Sequence, residues 1–162
     1  MKVFLSYAVG PLDAALASRL RAVAAAYDVS ILLPDRTAVV NGTVPADTLK
    51  KIGQSDAVIA LFTRTALDTS LNLVNAELRA AAIADKPVVA LVEQGVLIQG
   101  VPENQIVHFD PSQPTAHEHS LMNVLQGIRQ DDQQKGDLTA LGWIAGITLG
   151  LVALNDLLSD QD

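Results

Sequence analysis

The chain contains no cysteine. Disulfides and thiolate chemistry are therefore excluded, and the composition points to a reducing compartment. Positive charge is scarce: 11 Lys and Arg stand against 18 Asp and Glu, a formal net charge of −7. No basic stripe forms, which argues against nucleic acid as a partner. A Walker loop, a Gly-x-Gly-x-x-Gly and a Gly-x-Ser-x-Gly are all missing, so the commonest nucleotide-loop and nucleophile-elbow chemistries have no anchor here. Met1-Lys2 runs straight into a strand-like stretch, 3–7, with none of the long apolar run of a signal peptide. What remains is 162 residues, enough for one domain with a real core plus an appendage. The mean hydropathy of +0.29 is high for a soluble domain. The apolar excess concentrates at the C-terminus.

The organising stretch is 57–78. Ala57-Val58-Ile59-Ala60-Leu61-Phe62 is a continuous apolar run bounded by polar residues, the pattern of a strand buried on both faces. After the turn Thr63-Arg64-Thr65 come Asp68, Thr69 and Ser70, candidates to cap a helix. That helix carries Glu77. Ligands of open α/β sheets bind beyond the carboxyl ends of the strands, and a carboxylate two turns into the helix after a central strand can face that crevice. Glu77 is therefore the first functional candidate. The bland alternative is a solvated Glu paired with Arg79 or a neighbour.

Before this stretch, 3–7 reads as a first strand, broken by Gly10-Pro11, with Asp13 placed to cap the next helix. Leu16, Leu20, Val23 and Tyr27 recur at helical spacing over 13–27. A second strand follows over 29–33. The segment 34–45, with Asn41-Gly42 inside and proline at each end, is a loop by its chemistry. It is long for its place, as functional loops often are. A short helix over 46–53 ends at Gly53. After the Glu77 helix, which runs to about Ala84, Asp85-Lys86-Pro87 turns into a buried strand over 88–92. The segment 93–105 is irregular. Ile106–Phe109 is a fifth strand, and 115–129 a last helix. Alternating strands and helices imply a parallel sheet with helices on both faces. The expected fold is α/β: a flavodoxin-like five-stranded parallel sheet plus a C-terminal apolar helix.

Residues 131–137 form a polar linker, and 138–158 an apolar helix with the tail 159–162 beyond it. Positions 138–154 carry no charge, a length at the lower limit for a membrane span. Trp143 lies in its first third, near where an interfacial aromatic sits. Gly142, Gly146 and Gly150 share one helix face, which suits close helix–helix approach in a membrane. In water three such glycines would each cost about 0.5–1 kcal/mol relative to alanine. The expectation is a single span or an oligomerisation helix. Arg129 and Lys135 before it place the N-terminal domain in the cytoplasm.

The ordered set of Phe4-Leu5-Ser6-Tyr7, the loop 34–45, Ser55-Asp56 leading into Ala57–Phe62, and Lys86-Pro87-Val88-Val89 resembles a bacterial TIR (Toll/interleukin-1 receptor) domain over residues 1–130. The resemblance implies one of two activities. One is cleavage of the nicotinamide bond of NAD, with NAD as substrate and no cofactor. The other is non-catalytic self-association as a signalling scaffold. Bacterial immune or stress signalling is the implied context. The enzymatic members carry a Ser-x-Trp-x-x-x-Glu motif on the helix after the central strand. Glu77 matches the essential Glu, while Leu71 and Leu73 stand at the Ser and Trp positions and Ser70 lies next to the former.

Breaking the nicotinamide–ribose bond develops oxocarbenium character on the ribose, which a carboxylate stabilises. Glu77 is the catalytic candidate. Ser6 and Tyr7 are candidates to line the pocket, Arg36 and Arg64 to meet a phosphate, and Ser70 to bind ligand. No metal site is expected: His117-x-His119 has no obvious third ligand, and His108 reads as structural. Assembly through domain contacts and the Gly142/Gly146/Gly150 face would raise local concentration. A third possibility, a nucleoside deoxyribosyltransferase-like enzyme, shares a flavodoxin-like sheet and a helix-borne Glu, but its paired Asp and aromatic features are not evident here.

Overall fold

The computed structural model describes residues 1–36, 43–66 and 68–110, with 112, 113, 123, 126 and 127 beyond them. The elements run β1 (Lys2–Tyr7), α1 (Pro11–Ala25), β2 (Ser30–Leu32), α2 (Ala46–Gln54), β3 (Ala57–Phe62), α3 (Asp68–Ile83), β4 (Val88–Glu93) and β5 (Ile106–Phe109). The five strands make one sheet in the order β2-β1-β3-β4-β5, and every pairing is parallel. This is the flavodoxin-like arrangement. The chain steps from β1 outward to β2, then returns to the far side of β1 for β3. The order therefore reverses between β1 and β3.

Alternation along the strands divides the core into two faces. Val3 and Leu5 of β1, Ile59 and Leu61 of β3, and Val89 and Leu91 of β4 pack with Ala17, Leu20 and Ala24 of α1. The intervening residues face the other way. Phe4 and Val58 pack with Ile52 of α2 and Ala81 of α3, while Ala60, Phe62, Ala90 and Val92 pack with Val74 of α3. Helices thus cover both faces, α1 on one and α2 with α3 on the other. β3 is buried along its whole length, as its unbroken apolar run requires.

Some element ends differ from expectation, each for a local reason. Asp13 does not cap α1. The helix starts two residues earlier on Pro11, whose missing N–H suits a first helical position. α1 ends at Ala25, and the left-handed Asp28 (φ 58°) turns the chain toward β2. Tyr27 therefore falls outside the helix, 38% exposed. Gly53 does not terminate α2. The helix runs through Gln54, and the Ser55 hydroxyl donates to the Ile52 carbonyl at 2.7 Å. α3 begins at Asp68, so Asp68, Thr69 and Ser70 form its first turn.

Among the described residues no helix is long and apolar enough to cross a membrane. The linker 131–137, the segment 138–158 with Trp143, Gly142, Gly146 and Gly150, and the tail 159–162 lie outside the described residues. So does the expected helix over 115–129, apart from 123, 126 and 127, which are helical.

Candidate active site

A shared spacing places Glu77. α3 and β1 pack face to face, with Ala81 against Phe4 and Val74 in the cluster that holds Ala8. Four helical residues advance about 6 Å, and two strand residues span about 6.5 Å. The residue one turn before Ala81 must then sit over the residue two beyond Phe4. Those residues are Glu77 and Ser6. Both are fully buried, and the Ser6 hydroxyl donates to Glu77 Oε2 at 2.5 Å. Ser6 pairs in register with Ala60, and the small side chains at 6, 8 and 60 leave room for the carboxylate.

Arg36 completes the cluster from the chain that leaves β2. Its Nη1 donates to Glu77 Oε1 at 2.5 Å and its Nη2 to Glu77 Oε2 at 3.0 Å. This two-pronged fit is the guanidinium–carboxylate geometry that a lysine cannot reproduce. Nη2 also donates to the Tyr7 carbonyl oxygen, and the guanidinium lies 5.5 Å from the Tyr7 ring centroid, a cation–π distance. Tyr7 is partly buried and packs against the α1-side core. Both oxygens of Glu77 are thus engaged. The Arg36 side chain is 10% exposed, whereas that of Glu77 is fully buried.

Glu77, Ser6, Tyr7 and Arg36, all singled out from sequence, come together at the carboxyl end of β1. Arg79 is not the partner of Glu77. Arg64 does not join the group. Its side chain, 62% exposed, donates to the Gln94 carbonyl oxygen and lies 3.4 Å from Glu93, while its backbone N–H donates to Glu93 Oε2 at 2.8 Å. Arg64 braces the loop after β3 to the loop after β4. Ser70 lies in the first turn of α3, with its side chain outside the described residues. Leu73 is buried and Leu71 packs against the α3-side core, so both are apolar packing residues here.

Thr48 is a polar neighbour that sequence reasoning missed. It lies one turn before Ile52, which packs on Phe4, so the same spacing puts Thr48 in the layer of Ser6 and Glu77. It is fully buried, and its hydroxyl has no partner. The signal was present in the helical spacing of 48 and 52, but only the packing of α2 on β1 gives it meaning.

Among the described residues no group of three or more His, Cys, Asp or Glu could hold a metal ion. His108 is exposed on β5, and His117 and His119 lie outside the described residues. Chemically, the cluster is a carboxylate on a rigid helix, oriented by a hydroxyl and neutralised by a guanidinium at the edge of a largely apolar core. Such a group can stabilise positive charge developing on a bound molecule, or hold its hydroxyls, once the guanidinium takes another anion.

No protein-family model and no curated protein matches this chain. Among solved structures it is similar to a 2-deoxyribosyltransferase from the psychrotolerant bacterium Bacillus psychrosaccharolyticus. The TM-score is 0.51 and the identity 18%, over 71% of this chain and 90% of that one. At that identity the likeness bears on the fold alone, which is an α/β sheet of the flavodoxin-like kind.

Proposed function

We propose that this chain is a TIR-like enzyme that cleaves the N-glycosidic bond between nicotinamide and ribose in NAD, with Glu77 at the reacting centre. The observation that carries the reading is the buried Glu77 carboxylate held by Ser6 and Arg36 at the carboxyl end of β1. The C1′–N bond breaks, and its electron pair leaves with the nicotinamide nitrogen. Positive charge gathers on C1′ and the ring oxygen, beside the Glu77 carboxylate. Water adds to C1′ and loses a proton, giving ADP-ribose. Arg36 covers the carboxylate in the free protein. A substrate phosphate that takes up the guanidinium uncovers Glu77 for the ribose. The structural neighbour, named a 2-deoxyribosyltransferase, shows that a fold of this kind can carry a glycosyl-transferring enzyme.

A second reading is a non-catalytic assembly module of the same family. Leu71 and Leu73, apolar packing residues at the family's Ser and Trp positions, favour it. A substrate panel separates the readings. The full chain is incubated with NAD alone, and with a 2′-deoxynucleoside plus a second free base, and the products are identified by mass. Nicotinamide and ADP-ribose from NAD support the proposal. Base exchange without NAD cleavage would make the chain a deoxyribosyltransferase. Turnover of neither substrate would leave assembly as its function.

In the same proposal the segment 138–158 tethers the domain to a cell membrane, with the N-terminal domain cytoplasmic, or pairs chains through Gly142, Gly146 and Gly150. The full chain sediments with membranes, and a chain ending at Asp137 stays in the supernatant. Continued sedimentation of the shortened chain would remove the tether.

A further inference from the structure

Among the described residues, three side-chain atoms are buried without a hydrogen-bond partner: Asp13 Oδ2, Arg36 Nε and Thr48 Oγ1. All three belong to segments gathered at the carboxyl end of β1, namely the first turn of α1, the chain leaving β2 and the first turn of α2. Folded proteins leave few such atoms unpaired, and a carboxylate oxygen is the costliest kind to leave so. Asp13 is fully buried, and the chemistry assigned to Glu77 makes no use of it.

The surroundings of Asp13 are specific. Its Oδ1 accepts from the Thr63 hydroxyl, which lies 3.3 Å from the Thr65 hydroxyl. Its Oδ2 sits against Gly10. A Cβ added at Gly10 would lie 2.5 Å from Oδ2 and 3.9 Å from the Thr65 carbonyl oxygen. The backbone of Gly10 is extended (φ −155°), a conformation open to any residue, so glycine is required there for space. The unpaired oxygen thus lies between the loop that leaves β1 and the loop that leaves β3. Between these two strands the sheet order reverses, and ligands of open α/β sheets bind in that crevice.

We infer that Asp13 is a substrate-binding residue whose Oδ2 accepts a hydrogen bond from a hydroxyl of the substrate's distal sugar. The inference rests on the reading of Glu77 as the reacting centre. A carboxylate accepts hydrogen bonds and repels phosphate, so the ligand group it takes is a hydrogen-bond donor, and on the proposed substrate the hydroxyls of the distal sugar are such donors. Glu77 lies on the α3 side of β1 and Asp13 in the first turn of α1, which covers the opposite face. A molecule that reaches both passes over the end of β1 with Arg36 beside it. Two sugars joined by a pyrophosphate, the frame of the proposed substrate, carry hydroxyls at both ends of such a path. On this reading Asp13 favours NAD over a substrate with one sugar.

The test uses the full chain. Binding of ADP-ribose and of ribose 5-phosphate is measured by calorimetry for wild type, Asp13→Ala and Gly10→Ala, and nicotinamide release is followed from NAD and from nicotinamide mononucleotide. Asp13→Ala weakens ADP-ribose binding by at least about tenfold, the expected loss for a hydrogen bond to a charged group. Ribose 5-phosphate, with one sugar, is affected less. The KM for NAD rises more than kcat falls, and preference for NAD over the mononucleotide drops by a similar factor. Gly10→Ala, which displaces Oδ2 without removing it, moves the same readouts in the same direction and serves if Asp13→Ala does not fold. Unchanged ADP-ribose affinity in a folded variant overturns the inference, as does equal weakening of both ligands. ADP-ribose binding that depends on Asp13, without nicotinamide release, sustains Asp13 and overturns the reaction assigned to Glu77. Nicotinamide release indifferent to Asp13 does the reverse. Neither binding nor release overturns both.

Discussion

Arg36→Ala destabilises the full chain by about 3–5 kcal/mol, measured by chemical denaturation. The magnitude follows from what is left behind. Glu77 is fully buried, and Arg36 donates to both of its oxygens. Without the guanidinium, the carboxylate keeps the Ser6 hydroxyl and has no charge partner. A buried, uncompensated charge costs far more than a surface ion pair contributes. The ion pair itself is not a large net source of stability, because both groups were taken out of water to form it. The double variant Arg36→Met with Glu77→Met, apolar at both positions, is therefore more stable than Arg36→Ala. That difference separates the cost of an orphaned carboxylate from a general loss of packing. An Arg36→Ala variant within about 1 kcal/mol of wild type would mean that water already reaches Glu77 and that the site is open.

Glu77→Gln keeps the chain folded and lowers nicotinamide release by at least about 100-fold, the scale of losing one electrostatic contact to a transition state. Glutamine has the shape of glutamate and its amide oxygen still accepts from Ser6 and one Arg36 nitrogen, so packing between α3 and β1 survives although Arg36 loses its charge partner and the melting temperature falls. It has no negative charge to set against C1′ as the bond to nicotinamide opens. The loss appears in kcat, because the missing interaction belongs to the transition state. Folding is checked by circular dichroism and melting temperature on the same preparation. A folded Glu77→Gln with unchanged kcat would make the carboxylate a structural partner of Arg36.

Elements with a strong local signature were legible in sequence. Ala57–Phe62 is buried on both faces, so its run of apolar residues has sharp polar limits, and the strand has those same limits in the structure. Ile106–Phe109 also keeps its expected limits, although it is covered on one face only and His108 is exposed on the other. Glu77, Ser6 and Tyr7 were reachable because the end of a strand and the helix after a central strand are where such folds place ligands. Arg36 was one of two cations offered for a phosphate, and no local pattern distinguished them. Its contact with Glu77 spans 41 residues of sequence. Arg64 emerges at the same end of the sheet, yet Glu93 and the Gln94 carbonyl draw it to the β4 side. Asp13 read as a cap because an Asp near a helix start usually is one. Its partner, Thr63, is 50 residues away and is met only through the pairing of β1 with β3. Thr48 was invisible for the same reason: spacing gives a helix its faces, but tertiary packing decides what each face meets.

The central claim is that the Glu77, Ser6 and Arg36 cluster breaks a glycosidic bond. Its most direct test is nicotinamide release from NAD by the purified full chain at rising protein concentration, with Glu77→Gln run beside it. The account predicts release by wild type that steepens as the chains assemble, and none above background from the variant. NAD left intact by wild type at every concentration, or consumed equally by both proteins, would contradict it.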